Sequence, residues 1–268
     1  MKERTEKMAG YAPLDSEGVQ SYLAEMPVGH HILYLPEVTS TMDVARQQAD
    51  SGAGEGLVVV AEEQTAGRGR FGRAWVSLAG QNLAFSVLLY PNRWAFSRLS
   101  VAAAVAVSRA IRRTTGLDAT LKWPNDIRRG GKKVSGILVE GALEEGRVRY
   151  AIVGIGINVN ADPSDQLTGG YQATCLAKEL GRPVSREELL GAVLAELGMA
   201  YTAAKEWGAA WEQWQGSLET LGKAVRVQWG DHVDEGVAVG VDGDGNLLLR
   251  RADGSMATLT AGEVTLQS

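Results

Sequence analysis

Apolar and polar positions along this chain fall into two textures, and the change from one to the other divides it. Residues 30–35 read as a strand, and Pro36, which brings no amide hydrogen to a sheet, predicts its end. Residues 39–52, TSTMDVARQQADSG, predict a helix in which Thr39, Ser40 or Thr41 caps the start, Met42, Ala45 and Ala49 share a face, and Gly52 stops it. Residues 57–61, LVVVA, form an unbroken apolar run that predicts a buried strand leading into EEQTAGRGRFGRAW. A strand follows at 83–90, then an Ala- and Val-rich helix at 97–115 that closes with Arg112, Arg113 and Gly116. Residues 119–123 return as a strand into KWPND, and 133–160 predict antiparallel strands turning at Gly130-Gly131 and Glu145-Gly146. Residues 161–170 read as a loop and 171–215 as helical, with Trp207, Trp211 and Trp214 on one packing face. From Lys223 the texture becomes short alternating strands, VRVQW, GVAVGV, NLLLRR and ATLTAG, split by DGDGN and ADGS turns.

These elements predict an α+β protein, with a mixed, mostly antiparallel sheet flanked by helices and a small β-barrel behind it. The expected division is a short N-terminal segment at 1–29, a main domain at 30–221 and a C-terminal domain at 222–268. Ahead of His30 only one short helical pattern, near residues 18–26, is present, which is too little for a helix-turn-helix module with its own core. Composition agrees with a globular chain: 268 residues, 45% hydrophobic and 22% charged. The single cysteine, Cys175, excludes an internal disulfide framework and a multi-cysteine zinc site. The charged start, MKERTEKMAG, lacks the apolar run of a signal peptide, and the longest apolar stretch, 101–107, is too short to span a bilayer. The expectation is a cytoplasmic protein with no membrane partner.

Charge changes the picture at one place. The net charge is -5, which argues against a general nucleic-acid binder, yet residues 64–117 hold no Asp or Glu while holding Arg68, Arg70, Arg73, Arg93, Arg98, Arg109, Arg112 and Arg113. Within that basic stretch, GRGRFGRAW alternates arginine forks with glycines that let backbone approach a ligand, the make-up of a loop for a small anion. GRGRFG contains the dinucleotide pattern GxGxxG, but no helix pattern follows and no acidic residue stands about 20 positions on. The Gly-Lys pairs at 131–132 and 222–223 are followed by Lys and Ala, so neither completes a phosphate-binding P-loop, and the kinase HRD and DFG motifs are missing. DGDGN lacks the Gly and Glu of a calcium loop and reads as a hairpin turn.

GRGRFGRAW, KWPNDI, KVSGILVE and GIGINVN, in this order and at these separations, resemble the motifs of biotin protein ligases. The resemblance implies an α+β catalytic domain like that of lipoate ligases and class II synthetases, followed by an SH3-like barrel. It implies ATP-dependent attachment of biotin to a lysine of a biotin carboxyl carrier domain through biotinyl-5′-AMP, with Mg2+ on the nucleotide. By the same resemblance Ser40, Thr41, Met42 and Gln64 contact biotin, and Gly136 and Gly154 line its bicyclic ring. Arg68, Gly69 and Arg70 bind carboxylate and phosphate, and Lys133 touches both. Gly67, Arg73, Lys122, Asn125, Asp126 and Asn158 lie near the nucleotide, and Trp75 stacks on adenine. Many relatives have Asn where Met42 stands, so no polar contact is expected from it. The alternatives are a lipoate-protein ligase and a biotin-responsive repressor. The short start of the chain favours a ligase without DNA binding, and a homodimer is compatible with everything above.

Overall fold

The computed structural model describes residues 12–23, 28–166, 172–203 and 208–267. A seven-stranded sheet forms its centre, in the order β1-β2-β3-β7-β6-β5-β4. These strands are β1 (His31–Val38), β2 (Leu57–Gln64), β3 (Leu83–Leu89), β4 (Thr120–Lys122), β5 (Asp126–Arg129), β6 (Lys132–Glu144) and β7 (Arg147–Ile157). Only β1 and β2 pair in parallel, so the mixed, mostly antiparallel sheet expected from the sequence is what forms. Glycines at the left-handed φ values of 54° and 78° make the turn at Gly130-Gly131, as predicted.

Alternation decides which helix covers which face. In β2, Val58 and Val60 join the large core, whereas Leu57 and Val59 join a smaller cluster with Met42, Ala45 and Ala49 of α2 (Thr41–Asp50). The unbroken LVVVA run is thus a strand buried on both faces. On the large-core side lies α3 (Arg93–Thr115), which packs most extensively against α5 (Arg186–Ala203). Among the described residues α3 is long and apolar enough to cross a membrane, and its apolar positions are spent in this core.

Three expectations are corrected. Strand β1 continues through Pro36 to Val38, because it is the sheet's edge and no neighbour needs the missing amide hydrogen there. Helix α3 begins at Arg93 rather than 97: Asn92 caps it by accepting from the Ala95 amide at 2.8 Å. The single helical stretch at 171–215 is three helices, α4 (Leu176–Leu180), α5 and α6 (Gly208–Ser217), and Gly181 in the left-handed region ends the first. Trp207 of the tryptophan stripe lies outside the described residues, as do 24–26 of the first helical pattern, which begins as α1 (Ser16–Gln20). Trp214 is buried with its ring 5.1 Å from that of Trp211.

The C-terminal part is a five-stranded antiparallel sheet, β8 (Ala224–Trp229), β9 (His232–Val241), β10 (Leu247–Arg250), β11 (Met256–Leu259) and β12 (Glu263–Leu266), in the order β11-β10-β9-β8-β12. The fifth strand, EVTL, was not among those expected. DGDGN is the predicted turn: Asp242 accepts from the amides of Asp244 and Asn246. That turn docks on the main domain, where Trp123 Nε1 donates to the Gly245 carbonyl at 2.8 Å and Arg98 donates to Gly243.

Candidate active site

One face of the sheet explains where a ligand can enter. Along β7, Tyr150 and Ile152 point to the α2 side, and the same row continues as Gly154, Gly156 and Asn158. Helix α2 begins at Thr41 and covers this row only as far as Gly154, through Met42, and Gly156 adds no side chain beyond it. In β6 the partner of Gly156 is Gly136. Paired glycines on adjacent strands leave a backbone floor, the use that glycine inside an apolar strand allows. Beside this floor, which the Trp75 indole partly covers, is a cavity of about 850 Å³. Its wall holds every residue expected at the site except Gly67: Ser40, Thr41, Met42, Gln64, Arg68, Gly69, Arg70, Arg73, Trp75, Lys122, Asn125, Asp126, Lys133, Gly136, Gly154 and Asn158.

Residues before and in α2 form one wall. Ser40 holds the N-cap position but its hydroxyl makes no cap bond and is buried with no hydrogen-bond partner. Thr41 donates its amide to Gln64 Oε1 at 2.9 Å, and its hydroxyl meets Ser86 Oγ at 2.8 Å. Met42 is buried, and its thioether fills the room over Gly154, where a Cβ would stand 2.8 Å from the sulfur.

The arginine-rich loop forms the next wall. It leaves β2 and returns on itself through the Trp75 amide, which donates to the Gly67 carbonyl at 2.8 Å. Gly67 serves this closure rather than the cavity: a Cβ there would come within 2.6 Å of the Trp75 carbonyl oxygen. At the tip, Phe71 is left-handed at φ 57° and followed by Gly72 at 72°, an uncommon setting for an aromatic residue. Asp43 of α2 grips Arg68 through both carboxylate oxygens, at 2.6 and 2.7 Å. The hydrogen-bonded Arg68 guanidinium holds the Asp43 carboxyl below its ordinary value. Arg73 pairs with Glu263 of β12, and Arg70 reaches the Gly262 carbonyl at 3.5 Å, so the C-terminal sheet buttresses the loop. The Trp75 indole lies over Gly136 and Gly156, with its Nε1 buried and unpartnered.

The hairpin β4–β5 and the start of β6 close the far side. Lys133 Nζ lies 2.6 Å from Asp126 and 5.7 Å from the Trp75 ring centre. Asn125 is committed to the fold, since its side-chain amide donates to the Ile137 carbonyl at 2.6 Å. Asn158 donates to the Thr174 carbonyl at 3.1 Å and keeps a buried Oδ1 without a partner. Among the described residues neither Arg70 nor Lys122 forms an ion pair, and burial pushes both below their ordinary pKa values. Two desolvated cations on one cavity wall raise the positive potential there.

The basic stretch of the sequence divides in space. Arg68, Arg70 and Arg73 line this cavity, whereas Arg109 and Arg113 face Glu196, Arg112 faces Asp118, and Arg98 sits beneath Trp94. Arg128 is a cavity residue that motif reading missed. It pairs with Glu219, a partner far along the chain.

Sequence and fold comparisons agree with this geometry. The model of the biotin/lipoate A/B protein ligase family matches residues 34–158, and that of the biotin protein ligase C-terminal domain matches 220–266. The bifunctional ligase/repressor BirA of Bacillus subtilis is 36% identical over 232 residues, covering 85% of this chain and 71% of that one. The biotin--[acetyl-CoA-carboxylase] ligase of Mycobacterium tuberculosis is 30% identical over 94% of this chain and 95% of its own. The biotin protein ligase of Aquifex aeolicus, solved with biotin and ATP, superposes with a TM-score of 0.71 at 31% identity, over 89% of this chain and 99% of that one. With both domains matched in order and the motif residues gathered on one cavity, the chain belongs to the biotin protein ligases.

Proposed function

We propose that this chain joins biotin to ATP as biotinyl-5′-AMP and then transfers the biotinyl group to a lysine of the carrier domain of a biotin-dependent carboxylase. The observation that carries this reading is one cavity that brings Ser40, Thr41, Gln64 and Gly154 together with the cations Arg70 and Lys122, which form no ion pair among the described residues. The orphan Ser40 hydroxyl, beside Thr41 and Gln64, suits the ureido end of biotin. The ring then lies against the Met42 thioether, which itself covers Gly154.

In the first step a biotin carboxylate oxygen attacks the α-phosphorus of ATP, and the bond to pyrophosphate breaks. Two anions must meet, and Arg68, Arg70 and Lys133 offset their repulsion with charges already in place. Arginine suits the task because its fork grips two oxygens and stays charged. Among the described residues no cluster of three or more His, Cys, Asp or Glu holds a metal by itself. Mg2+ would fit here as the counter-ion of the ATP phosphates, with Asp126 a cavity carboxylate that would offer it an oxygen. In the second step the acceptor amine attacks the acyl carbonyl and AMP leaves with the phosphate oxygen. Until then the loop of Arg68, Gly69 and Arg70 keeps water from the mixed anhydride.

The described residues ahead of β1 pack on the main domain: Leu14 and Val19 are buried, and the Leu14 amide donates to Glu62. We propose a ligase without DNA retention in a gel shift, a cytoplasmic location, and a homodimer as the assembly to look for by sedimentation. The decisive experiment is ATP–pyrophosphate exchange with biotin and with lipoate. Exchange driven by biotin alone is expected, and exchange driven by lipoate but not biotin would overturn the reading.

A further inference from the structure

Four charged side chains form a ladder that ties the loop to the sheet, and two of them, Asp43 and Arg46, belong to none of the motifs. Arg68 of the loop is gripped by Asp43, Asp43 also meets Arg46 at 3.3 Å, and Arg46 reaches Glu140 of β6 at 2.5 Å. Asp43 and Arg46 lie in α2, one turn apart, and neither lines the cavity. The helix that carries this grip begins with Ser40 and Thr41, the residues read as holding the ureido ring. Asp43 takes Arg68 end-on through both Nη atoms, which leaves the Nε–H and the outer Nη hydrogens for an anion.

The consequence is a fixed spacing. An α-helix is the stiffest connection available at this scale, and a bidentate carboxylate–guanidinium pair fixes orientation as well as distance. Ring contacts and the carboxylate-binding arginine are therefore mounted on the same rigid element. Without Asp43, Arg68 would hang from a glycine-rich loop and could follow a carboxylate to other positions.

We propose that Asp43 is a positioning residue that sets the chain length of the acid this ligase accepts, by holding Arg68 at a fixed span from Ser40 and Thr41. The proposal rests on the reading of those three residues as biotin contacts. The matching substrate class is a ureido-ring acid with a side chain of one length; analogues with one methylene fewer or more place the carboxylate off the fork.

The test is adenylate formation, followed as pyrophosphate release, with biotin, its one-methylene-shorter homologue and its one-methylene-longer homologue. The wild-type protein is expected to prefer biotin by at least about tenfold in kcat/KM over either. Asp43→Asn, which keeps the shape but not the double charged grip, is expected to shrink that preference about tenfold, and Asp43→Glu, which keeps the charged grip but moves the fork, to keep a preference and shift it to another chain length. Arg46→Gln, which removes the support between Asp43 and Glu140, is expected to act in the same direction with smaller effect, and it decides the matter if Asp43→Asn does not fold. An equal loss for all three acids would mean that Asp43 supplies only stability or charge, and it would overturn the proposal, as would an unchanged preference. Failure of the wild-type protein to activate biotin at all would instead overturn the functional reading.

Discussion

Trp75 occupies the space that a side chain at position 156 would fill: a Cβ on Gly156 would stand 2.2 Å from the indole Cε2 and 2.3 Å from Cζ2. The same ring lies 3.1 Å from the Cβ position of Gly136, the cross-strand partner of Gly156. The loop thus folds back through its own tryptophan onto two residues that have no side chain, and the floor and the loop specify each other.

Gly156→Ala tests this dependence. The backbone at 156 is not left-handed, so alanine can enter the strand, and the indole has to leave. The expected outcome is a rise of about tenfold or more in KM for ATP, with an overpacking loss of about 1–3 kcal/mol in denaturant unfolding. Unchanged ATP kinetics would remove Trp75 from the nucleotide site.

Lys133→Ala addresses the charge balance of the first step. Lys133 is half-buried, and its Nζ pairs with Asp126 at 2.6 Å. A pair this open contributes little to folding, so the variant should melt near the wild-type temperature. Biotin-dependent pyrophosphate release should fall about 10²–10³-fold, the usual effect of removing one preorganised donor to developing charge. Normal release would refute the role.

Why do the residues expected at the site line one cavity? They sit in continuous motifs at strand ends, where alternation fixes the face: Gly154 and Asn158 follow Tyr150 and Ile152 in steps of two, and Gly156, which was not expected at the site, joins them by the same period. What escaped the sequence depends on partners far along the chain. Arg109 and Arg113 look like part of the basic site until Glu196, on α5, is seen beside them. The strand through Pro36 needed knowledge that β1 is an edge, a property of the whole sheet. Glu263 and Gly262, which hold the loop from the C-terminal sheet, carry no motif at all.

Arg70→Gly probes retention of the intermediate. Arg70 is half-buried, approaches Gly262 from the loop, and stacks 5.0 Å over Phe71. Removing its guanidinium takes away both a charge on the adenylate and a contact that holds the loop against the C-terminal sheet. Biotinyl-5′-AMP should dissociate at least about tenfold faster in a filter-retention assay, and free lysines of a bystander protein should become biotinylated. An unchanged off-rate would place Arg70 outside the lid.

Lys122 supplies a prediction in which pH separates binding from stability. Burial is the largest cause of its lowered pKa, and the nearby Asp126 charge opposes it only in part. In the window between this lowered value and the ordinary lysine value, the unfolded chain binds the proton and the folded chain does not. Stability contributed by this group therefore rises with pH across that window. Affinity for the ATP polyanion has the opposite sign, because the ammonium that attracts it is being lost. Isothermal titration at rising pH should show ATP binding weaken while the urea midpoint does not fall with it from this group. Lys122→Arg, which stays charged, should flatten the alkaline loss of ATP affinity. If the variant and the wild-type protein weaken in parallel, Lys122 is not the cation that the nucleotide meets.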